Sequence, residues 1–166
     1  MWKYLYNFSI IYKVKNMEKI LVSACLLGDK CKYNGKDNYI KEIEELKLYY
    51  EIIPICPEMM GGLKCPRDPS EIYKNRVISI KNKDVTHQFN EGKRQVLNIV
   101  NYLHIRKALL KENSPSCGIN FVYDGTFSNK LVSKSGVTAQ ALKELGLELF
   151  NETQIQELIN VKKKNN

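Results

Sequence analysis

The amino-acid sequence predicts one α/β domain built on a mainly parallel β-sheet with helices on both faces. Strand patterns alternate with helix patterns along most of the 166 residues, and this alternation is typical of parallel sheets. The first strand, residues 18–24, is an almost unbroken aliphatic run, as expected for a strand buried on both faces. A chain of this length can form one domain with its own core.

The first half of the domain contains strand patterns, one helix pattern and a long irregular stretch. Residues 50–55 form a second apolar strand, and residues 37–47 place aliphatic side chains on one helical face. Residues 56–71 contain three prolines and no periodic pattern, and long ordered loops in compact domains are usually functional. Residues 76–81 form a short strand that could pair in a hairpin.

The second half begins with the longest amphipathic pattern, a helix over residues 86–104. A third strand that we place in the parallel sheet follows at residues 107–110. The remaining predicted elements alternate between strand and helix, at residues 121–123, 139–145, 147–150 and 153–161.

Both ends of the chain differ from the domain, which we place at residues 17–161. Residues 1–16 are rich in aromatic side chains, but Met17 directly precedes the first strand. We interpret residues 1–16 as an extension that results from a mis-assigned start codon, with a short membrane-surface segment as the alternative. Residues 162–166 are predicted to be a basic, disordered tail.

Composition excludes some classes of protein. No apolar run reaches the roughly 20 residues that span a bilayer, so we expect no membrane partner. The five cysteines are odd in number, which favours reduced thiols in the cytoplasm over a disulfide framework. The net charge of +8 favours an anionic partner such as nucleic acid, although the lysines of the tail supply part of that charge.

Three of the cysteines follow strands of the predicted sheet. Cys25 and Cys56 end the first and second strands, and Cys117 lies in a Ser-, Pro- and Gly-rich turn at residues 111–118 after the third. Because ligands bind outside the carboxyl ends of parallel strands, we expect these thiols to converge on one site. Simple core packing of the three thiols is the alternative.

Thiolates select iron–sulfur clusters, zinc or copper(I). The sequence has no Cys-x-x-Cys pair, and its two histidines, His87 and His104, lie on the predicted long helix. Three thiolates without a nearby fourth ligand favour a 4Fe–4S cluster with one open iron. Cys31 and Cys65 are further thiols that could reach the site.

Other polar residues near these turns are candidates for chemistry. Glu58 follows Cys56 by two residues and could transfer protons. Ser114 and Ser116 could contact a metal site or a substrate, or only shape their turn. Arg67 suits a planar or anionic acceptor, or it could pair with Asp68 or Glu71. Asp124 begins a turn and is a second-choice substrate contact.

Eight motifs occur in an order that resembles the thiouracil desulfidase (TudS-like) family from Met17 to about Glu152. They are Ser23-Ala24-Cys25-Leu26-Leu27-Gly28, Cys31-Lys32-Tyr33-Asn34-Gly35, Cys56-Pro57-Glu58 with Gly61-Gly62-Leu63, Pro66-Arg67-Asp68-Pro69, Asp84-Val85-Thr86, residues 111–118, Tyr123-Asp124-Gly125-Thr126-Phe127 and Gly136-Val137-Thr138-Ala139. Any one motif is a weak indicator, but the combination is specific.

The resemblance implies a Rossmann-like domain in which Cys25, Cys56 and Cys117 hold a 4Fe–4S cluster. It also implies removal of sulfur, without redox chemistry, from a thiolated pyrimidine such as 2-thiouracil. Glu58 and Ser114 match the acidic residue and serine that handle protons in the family. Arg67, Ser116 and Asp124 are our candidates for substrate binding.

The sequence departs from the family at Cys65, where threonine is more usual, and at Lys134-Ser135, where the family tends to have glycine and an acidic residue. These departures affect the expected substrate preference more than the cluster. Two alternatives therefore stay open: a desulfidase for thiouridine in tRNA, and a metal- or cluster-binding protein without turnover.

Overall fold

A computed structural model describes residues 17–164, and the prediction for residues 1–16 lies outside this range. In chain order, strands β1 to β8 span Glu18–Ser23, Tyr50–Ile55, Ser70–Tyr73, Arg76–Ser79, Lys107–Leu110, Phe121–Tyr123, Leu131–Ser133 and Glu148–Asn151. Helices α1 to α5 span Ile43–Leu46, Pro57–Met60, Thr86–Leu103, Val137–Glu144 and Ile155–Lys164. Short 3-10 turns occupy Ala24–Leu27 and Glu152–Gln154.

The central sheet has four parallel strands in the order β2-β1-β5-β8. This arrangement confirms the predicted α/β fold with a parallel sheet. The connections run one way from β1 to β2 and the other way from β2 to β5, so the strand order reverses at β1. Crevices at such a reversal, outside the carboxyl ends of the strands, are the usual ligand sites of open α/β sheets.

The two faces of the sheet bury separate apolar clusters because side chains alternate along each strand. Leu21 of β1 joins one cluster with residues of α3 and α4, including Val96 and Leu142. Its neighbours Ile20 and Val22 join the opposite cluster with residues of α1 and α5. Helices therefore cover both faces, as the continuous aliphatic run of β1 predicts.

Two antiparallel hairpins, β3–β4 and β6–β7, lie outside the central sheet. Their apolar residues form a third cluster with the start of α3, in which Ile72, Val77, Phe89 and Val122 are buried. The strand predicted at residues 76–81 pairs in a hairpin but ends at Ser79. Its partner β3 begins at Ser70, within the last two residues of the stretch predicted to be irregular, and continues to Tyr73. Neither β3 nor β7 has a counterpart among the predicted elements.

The helix predicted at residues 37–47 is wrong over most of its length, since only Ile43–Leu46 is helical. The preceding backbone is committed elsewhere: the N–H of Asn38 bonds to the carbonyl of Cys25 at 2.8 Å, and that of Ile40 bonds to Leu26 at 3.3 Å. These bonds cover the turn that carries Cys25. Tertiary contact thus overrides the helical pattern.

The predicted disorder of the basic tail is wrong for residues 162–164, which complete helix α5. Lys162 forms an ion pair with Glu18 at 2.6 Å, and Lys163 forms one with Glu45 at 2.6 Å. These pairs connect the end of the helix to β1 and α1. Among residues 17–164, no helix combines the length and the apolar character that crossing a membrane requires.

Helix α2 follows Cys56 directly, and its position depends on close approach to α3. A Cβ atom built on Gly92 of α3 would lie 1.8 Å from the carbonyl oxygen of Pro57. A Cβ atom on Gly61 would lie 1.9 Å from the carbonyl oxygen of Gln88. Two glycines therefore allow the backbone that carries Cys56 and Glu58 to rest on α3.

We expect Gly92→Ala to destabilise the protein. Glycine to alanine in a helix usually stabilises by about 1 kcal/mol, but here the new methyl group meets backbone that cannot rotate away, and such overpacking typically costs about 1–3 kcal/mol. Urea unfolding monitored by circular dichroism measures the effect. Asn98→Ala, at an exposed position of the same helix, is the control and should leave stability nearly unchanged or raise it slightly. A stabilised Gly92→Ala variant would contradict the predicted close contact.

Candidate functional site

A cavity of about 490 Å³ opens at the carboxyl edge of the parallel sheet, and Cys25, Cys56 and Cys117 all line it. The structure therefore brings together the three cysteines that were predicted to converge because they follow the ends of parallel strands. Their role as metal ligands stays a prediction.

Each of these three cysteines follows one strand of the parallel sheet, and that strand fixes its position. Cys25 lies in the 3-10 turn that follows β1 and is buried. Cys56 is the residue between β2 and α2 and is half-buried. Cys117 is buried in the loop after β5, where its backbone N–H donates to the side-chain oxygen of Ser114 at 3.1 Å.

Cys31 lines the same cavity as a fourth thiol. Its thiol hydrogen-bonds to those of Cys25 and Cys56. This contact is the main reason that the pKa of Cys56 is lowered to about 7 and that the pKa of Cys25 is also lowered. The same contacts raise the pKa of Cys31.

Cys65 lies apart from this group. Its sulfur is 3.0 Å from the carbonyl oxygen of Lys30 and 3.2 Å from that of Lys32, and Cys65 is absent from the cavity lining. Of the two further thiols considered from the sequence, the structure thus brings only Cys31 to the site. The Cys65 thiol instead contacts the backbone on both sides of Cys31.

Burial raises the pKa of the Cys117 thiol, and the charges of Cys25, Cys56 and Glu58 raise it further. A hydrogen bond with Ser23 acts in the opposite direction but is the smaller effect. A thiolate at this position therefore needs a positively charged partner inside the cavity. Within residues 17–164, no three His, Cys, Asp or Glu side chains are already arranged to hold a single metal ion.

Glu58 and Arg67 form an ion pair inside the cavity. The Arg67 Nε and Nη2 atoms donate to the same carboxylate oxygen of Glu58, Oε2, at 2.8 and 2.7 Å. The two side chains are only 9% and 15% exposed. The sequence suggested Asp68 or Glu71 as the partner of Arg67. In the structure, Arg67 pairs instead with Glu58, the candidate catalytic residue.

The remaining donors of Arg67 bind backbone. Its Nη1 atom lies 3.0 Å from the carbonyl oxygen of Cys31 and 3.3 Å from that of Lys64. Arg67 thus connects α2 to the loop of Cys31, and its guanidinium is already engaged by protein acceptors. Its predicted contact with substrate stays a prediction.

Ser114 lines the cavity and shapes the turn that holds Cys117. Its hydroxyl oxygen accepts hydrogen bonds from the backbone N–H groups of Ser116 and Cys117, both at 3.1 Å. The hydroxyl hydrogen is left to act as a donor toward the cavity. Both readings of Ser114 from the sequence, turn former and site residue, are compatible with this geometry.

Ser116 and Asp124 do not line the cavity, which differs from their predicted role as substrate contacts. The Ser116 side chain is 1% exposed and its hydroxyl lies 3.0 Å from that of Thr138, because the start of α4 packs against this turn. The Asp124 carboxylate accepts from the backbone N–H of Thr126 at 3.0 Å and pairs with Lys130 at 3.5 Å. The Ser116 hydroxyl is therefore bonded to α4 and the Asp124 carboxylate to its own turn. Their contact with substrate stays a prediction.

The sequence profile of the 2-thiouracil desulfurase family matches residues 20–154. The chain belongs to this family.

One curated relative and one solved structure extend the comparison. The uncharacterized protein YbbK of Bacillus subtilis strain 168 is 36% identical over 150 residues, which cover 84% of this chain and 99% of YbbK. A solved structure of the 4Fe–4S-dependent thiouracil desulfidase TudS superposes with a TM-score of 0.82 at 38% identity. The superposition covers 87% of this chain and 97% of TudS. The family resemblance read from the sequence motifs is thus confirmed.

In this desulfurase-family chain, Glu112 organises the turn that carries Cys117, a role that the sequence analysis did not identify. Its Oε1 atom accepts from the backbone N–H groups of Ile119, Asn120 and Phe121 at 2.9, 3.0 and 3.2 Å. Its Oε2 atom accepts from the side-chain amide of Asn151 at 2.9 Å. The only sequence indication was its position inside the motif at residues 111–118.

Glu71 is a second carboxylate that the sequence analysis placed only as a possible partner of Arg67. It lines the cavity, is 8% exposed, and its Oε2 atom accepts from the backbone N–H groups of Gly125 at 2.9 Å and Phe127 at 3.0 Å. It therefore ties the loop after β6 to the β3–β4 hairpin. Phe127 and Tyr123, on this loop and strand, also line the cavity.

We expect Glu112→Gln to destabilise the chain by about 2–3 kcal/mol at pH 7, because hydrogen bonds to a charged acceptor contribute about 1.5–3 kcal/mol. Burial raises the pKa of Glu112, but bonds from Asn120, Asn151, Phe121 and Asn113 together hold it below the ordinary value of 4.5. The stabilisation is therefore present above pH 4.5 and is lost as the pH falls through the lower folded value.

Urea unfolding of wild type and Glu112→Gln at several pH values tests this expectation. The gap in stability between them should narrow as the pH falls below about 4.5, where more than half of the unfolded carboxylates are protonated. Glu144→Gln, at an exposed position of α4, is the matched control and should show no comparable gap. An equal gap at all pH values would assign the effect to shape instead of charge.

Proposed function

We propose that this protein is an iron–sulfur-dependent desulfidase that removes sulfur from a thiolated pyrimidine such as 2-thiouracil. The convergence of Cys25, Cys56 and Cys117 on one cavity carries the proposal, in a chain that belongs to the 2-thiouracil desulfurase family. The similarity to TudS, which is 4Fe–4S-dependent, supports the choice of cofactor.

The donor set suits a 4Fe–4S cluster held by Cys25, Cys56 and Cys117. Soft thiolates are the ligands that such clusters prefer, and the buried Cys117 needs a positive partner to lose its proton. When bound through three thiolates, the cluster supplies an iron with an open position that can act as a Lewis acid toward a thiocarbonyl sulfur.

Glu58 is the proton-transferring group of the proposal. Both contacts from Arg67 use Oε2, which leaves Oε1 as the oxygen that can take a proton from water in the cavity. The water oxygen then bonds to the thiocarbonyl carbon as the carbon–sulfur bond breaks. 2-Thiouracil and water give uracil and hydrogen sulfide, so no electrons are gained or lost.

Ser114 has the complementary role of a hydrogen-bond donor. Its oxygen already accepts two backbone N–H groups, so its hydroxyl hydrogen is the part available to a negatively charged atom of the substrate. Tyr33, Tyr123 and Phe127 line the same cavity and offer flat apolar surface to a pyrimidine ring. Arg67 keeps a positioning role through Glu58, and the predicted direct contacts of Ser116 and Asp124 are replaced by these aromatic neighbours in the proposal.

The ligand assignment predicts that Cys25→Ala, Cys56→Ala and Cys117→Ala each prevent cluster assembly. Protein purified without oxygen should hold about four irons per chain and absorb visible light, and each variant should lose both properties. Cys65→Ala is the control, since Cys65 is absent from the cavity lining and its thiol contacts the backbone carbonyls of Lys30 and Lys32. Full iron content in Cys117→Ala would refute the assignment, and a colourless wild type would refute the cofactor.

The role of Glu58 predicts that Glu58→Gln binds the cluster and 2-thiouracil but releases sulfide at least about a hundredfold more slowly, because general acid–base catalysis typically supplies a hundred- to ten-thousand-fold. Glutamine can still accept from Arg67, so the fold should persist. Sulfide release under single-turnover conditions is the measurement, and Glu44→Gln, an exposed acidic position, is the control. Near-normal release would pass the role to Ser114 or to a bound water.

Thiouridine in RNA is the second candidate substrate, and the net charge of +8 is the observation that favours it. Sulfide release from free 2-thiouracil and from a thiouridine-containing oligonucleotide, compared at low and high salt, separates the two. Release from neither substrate by a cluster-loaded protein would indicate a binding protein without turnover. We place the protein in the cytoplasm, where free thiols stay reduced.

A further inference from the structure

Three asparagines line the cavity, Asn38, Asn113 and Asn129, and the proposed reaction gives none of them a task. Asn113 is half-buried and lies on the turn after β5, directly before Ser114 and four residues before Cys117. Neither Asn38 nor Asn129 belongs to that turn. Asn113 is therefore the asparagine that shares a turn with the proposed hydrogen-bond donor and with a proposed cluster ligand.

The backbone of Asn113 is held in one conformation. Its φ is 64°, in the left-handed region that asparagine adopts more readily than most residues. Its N–H lies 3.4 Å from Oε1 of Glu112, and a Cβ atom built on Gly118 would come within 3.2 Å of its nitrogen. The turn is closed by the N–H of Gly118, which donates to the carbonyl of Ser114 at 2.9 Å. The Asn113 side chain thus starts from a fixed point in the cavity wall.

The side-chain amide of Asn113 is the polar group of this turn that the protein leaves unused. Its polar neighbours are bonded: Lys111 pairs with Glu152, Glu112 accepts from backbone N–H groups, and so does Ser114. Within residues 17–164 no protein group bonds to the Asn113 amide, and the amide is not enclosed by protein. Its oxygen and its N–H groups are therefore available to a ligand in the cavity.

The ring of 2-thiouracil offers an amide one matching edge. Its N3–H is a donor and the adjacent C4 carbonyl is an acceptor, so together they complement the oxygen and the NH2 group of an asparagine side chain. The other donor, N1–H, lies between a C–H group and the thiocarbonyl, whose sulfur the proposed function assigns to the open iron. Asparagine reads an adenine edge in DNA through the same kind of two-bond contact.

We propose that Asn113 is a specificity-determining residue whose amide forms two hydrogen bonds with the N3–H and C4 carbonyl edge of the pyrimidine. This inference rests on the proposed function, since it takes a thiolated pyrimidine as the occupant of the cavity. The contact selects rings with hydrogen-bonding groups at N3 and C4, and it leaves N1 free of Asn113. Pyrimidines that carry a substituent on N3 should therefore bind weakly.

The test measures the binding of uracil, 1-methyluracil and 3-methyluracil to the cluster-loaded protein by equilibrium dialysis. Uracil keeps the N3–H and C4 carbonyl edge but has no sulfur to release, so binding is read without turnover. In wild type, the methyl group on N3 should weaken binding by about ten- to a hundredfold, which is the range for a lost two-bond amide contact. The methyl group on N1 should have the same effect with and without the Asn113 amide.

Asn113→Gly removes the amide but keeps the turn, because glycine readily adopts a φ of 64°. Uracil should bind this variant about ten- to a hundredfold more weakly than wild type. The methyl group on N3 should then cause little further loss, because the contact that it disrupts is already absent. Asn113→Asp also suits this backbone but replaces the donor with a second oxygen, and it should bind uracil no better than Asn113→Gly.

Asn82→Gly is the matched control, since Asn82 has a φ of 60°, is exposed and is absent from the cavity lining. It should bind all three pyrimidines as wild type does. Asn129→Gly is a second comparison, because Asn129 has a φ of 61° and lines the cavity on another loop. Iron content per chain, measured for every variant, should equal that of wild type.

Three results would overturn the inference. An equal effect of the N3 methyl group in wild type and in Asn113→Gly would show that the amide does not contact this edge. Loss of that effect in Asn129→Gly, with Asn113→Gly unchanged, would assign the contact to Asn129. Loss of iron from both Asn113 variants would make Asn113 a support of the Cys117 turn instead of a substrate contact.

These outcomes are separable from failure of the proposed function. If the N3 methyl group weakens binding to wild type but not to Asn113→Gly, while wild type releases no sulfide from 2-thiouracil, the desulfidase proposal fails and the role of Asn113 stands. If wild type releases sulfide while the N3 methyl group affects both proteins equally, the reverse holds.

Discussion

The site depends on the need to pair backbone N–H groups in the loops that follow the parallel strands. These loops leave the hydrogen-bonded ladder of the sheet, and an unpaired buried N–H group is strongly unfavourable. Two side chains of the loop after β5 meet this need: Glu112 accepts for the turn of Cys117, and Ser114 accepts from the N–H group of Cys117 itself. Glu71, in strand β3 of a neighbouring hairpin, does the same for the loop of Phe127 after β6. The cavity is consequently shaped before any ligand enters it.

The central strands and the long helix could be predicted from the sequence because the spacing of their apolar residues is itself typical of a buried strand or of a helix. The continuous aliphatic run of β1 indicates burial on both faces, and the long stripe of α3 indicates a single buried face. Residues 37–42 could not be predicted in this way. Their apolar spacing fits a helix, but the N–H groups of Asn38 and Ile40 bond to the carbonyls of Cys25 and Leu26, which lie 13 and 14 residues earlier in the chain.

The same distinction applies to the candidate site. Convergence of Cys25, Cys56 and Cys117 follows from strand ends alone, because parallel strands share one carboxyl edge. The place of Ser116 does not follow, because it depends on how α4 begins: the N–H groups of Thr138 and Ala139 bond to the Ser116 carbonyl at 2.9 and 3.0 Å and draw the turn into the interior. A serine in a turn looks exposed in the sequence until the packing of a helix twenty residues later is known.

Arg67 connects Glu58, the proposed proton-transferring group, to the loop that carries Cys31. Its guanidinium binds the Glu58 carboxylate through Nε and the Cys31 carbonyl through Nη1. Its removal would leave a nearly buried carboxylate without its counter-charge, and removing one partner of a buried pair typically costs about 3–5 kcal/mol. The carbonyls of Cys31 and Lys64 would lose their donor as well. Loss of activity on substitution of Arg67 would thus reflect displacement of Glu58 and of the loop that carries Cys31. Such a loss is therefore expected whether or not Arg67 touches the substrate.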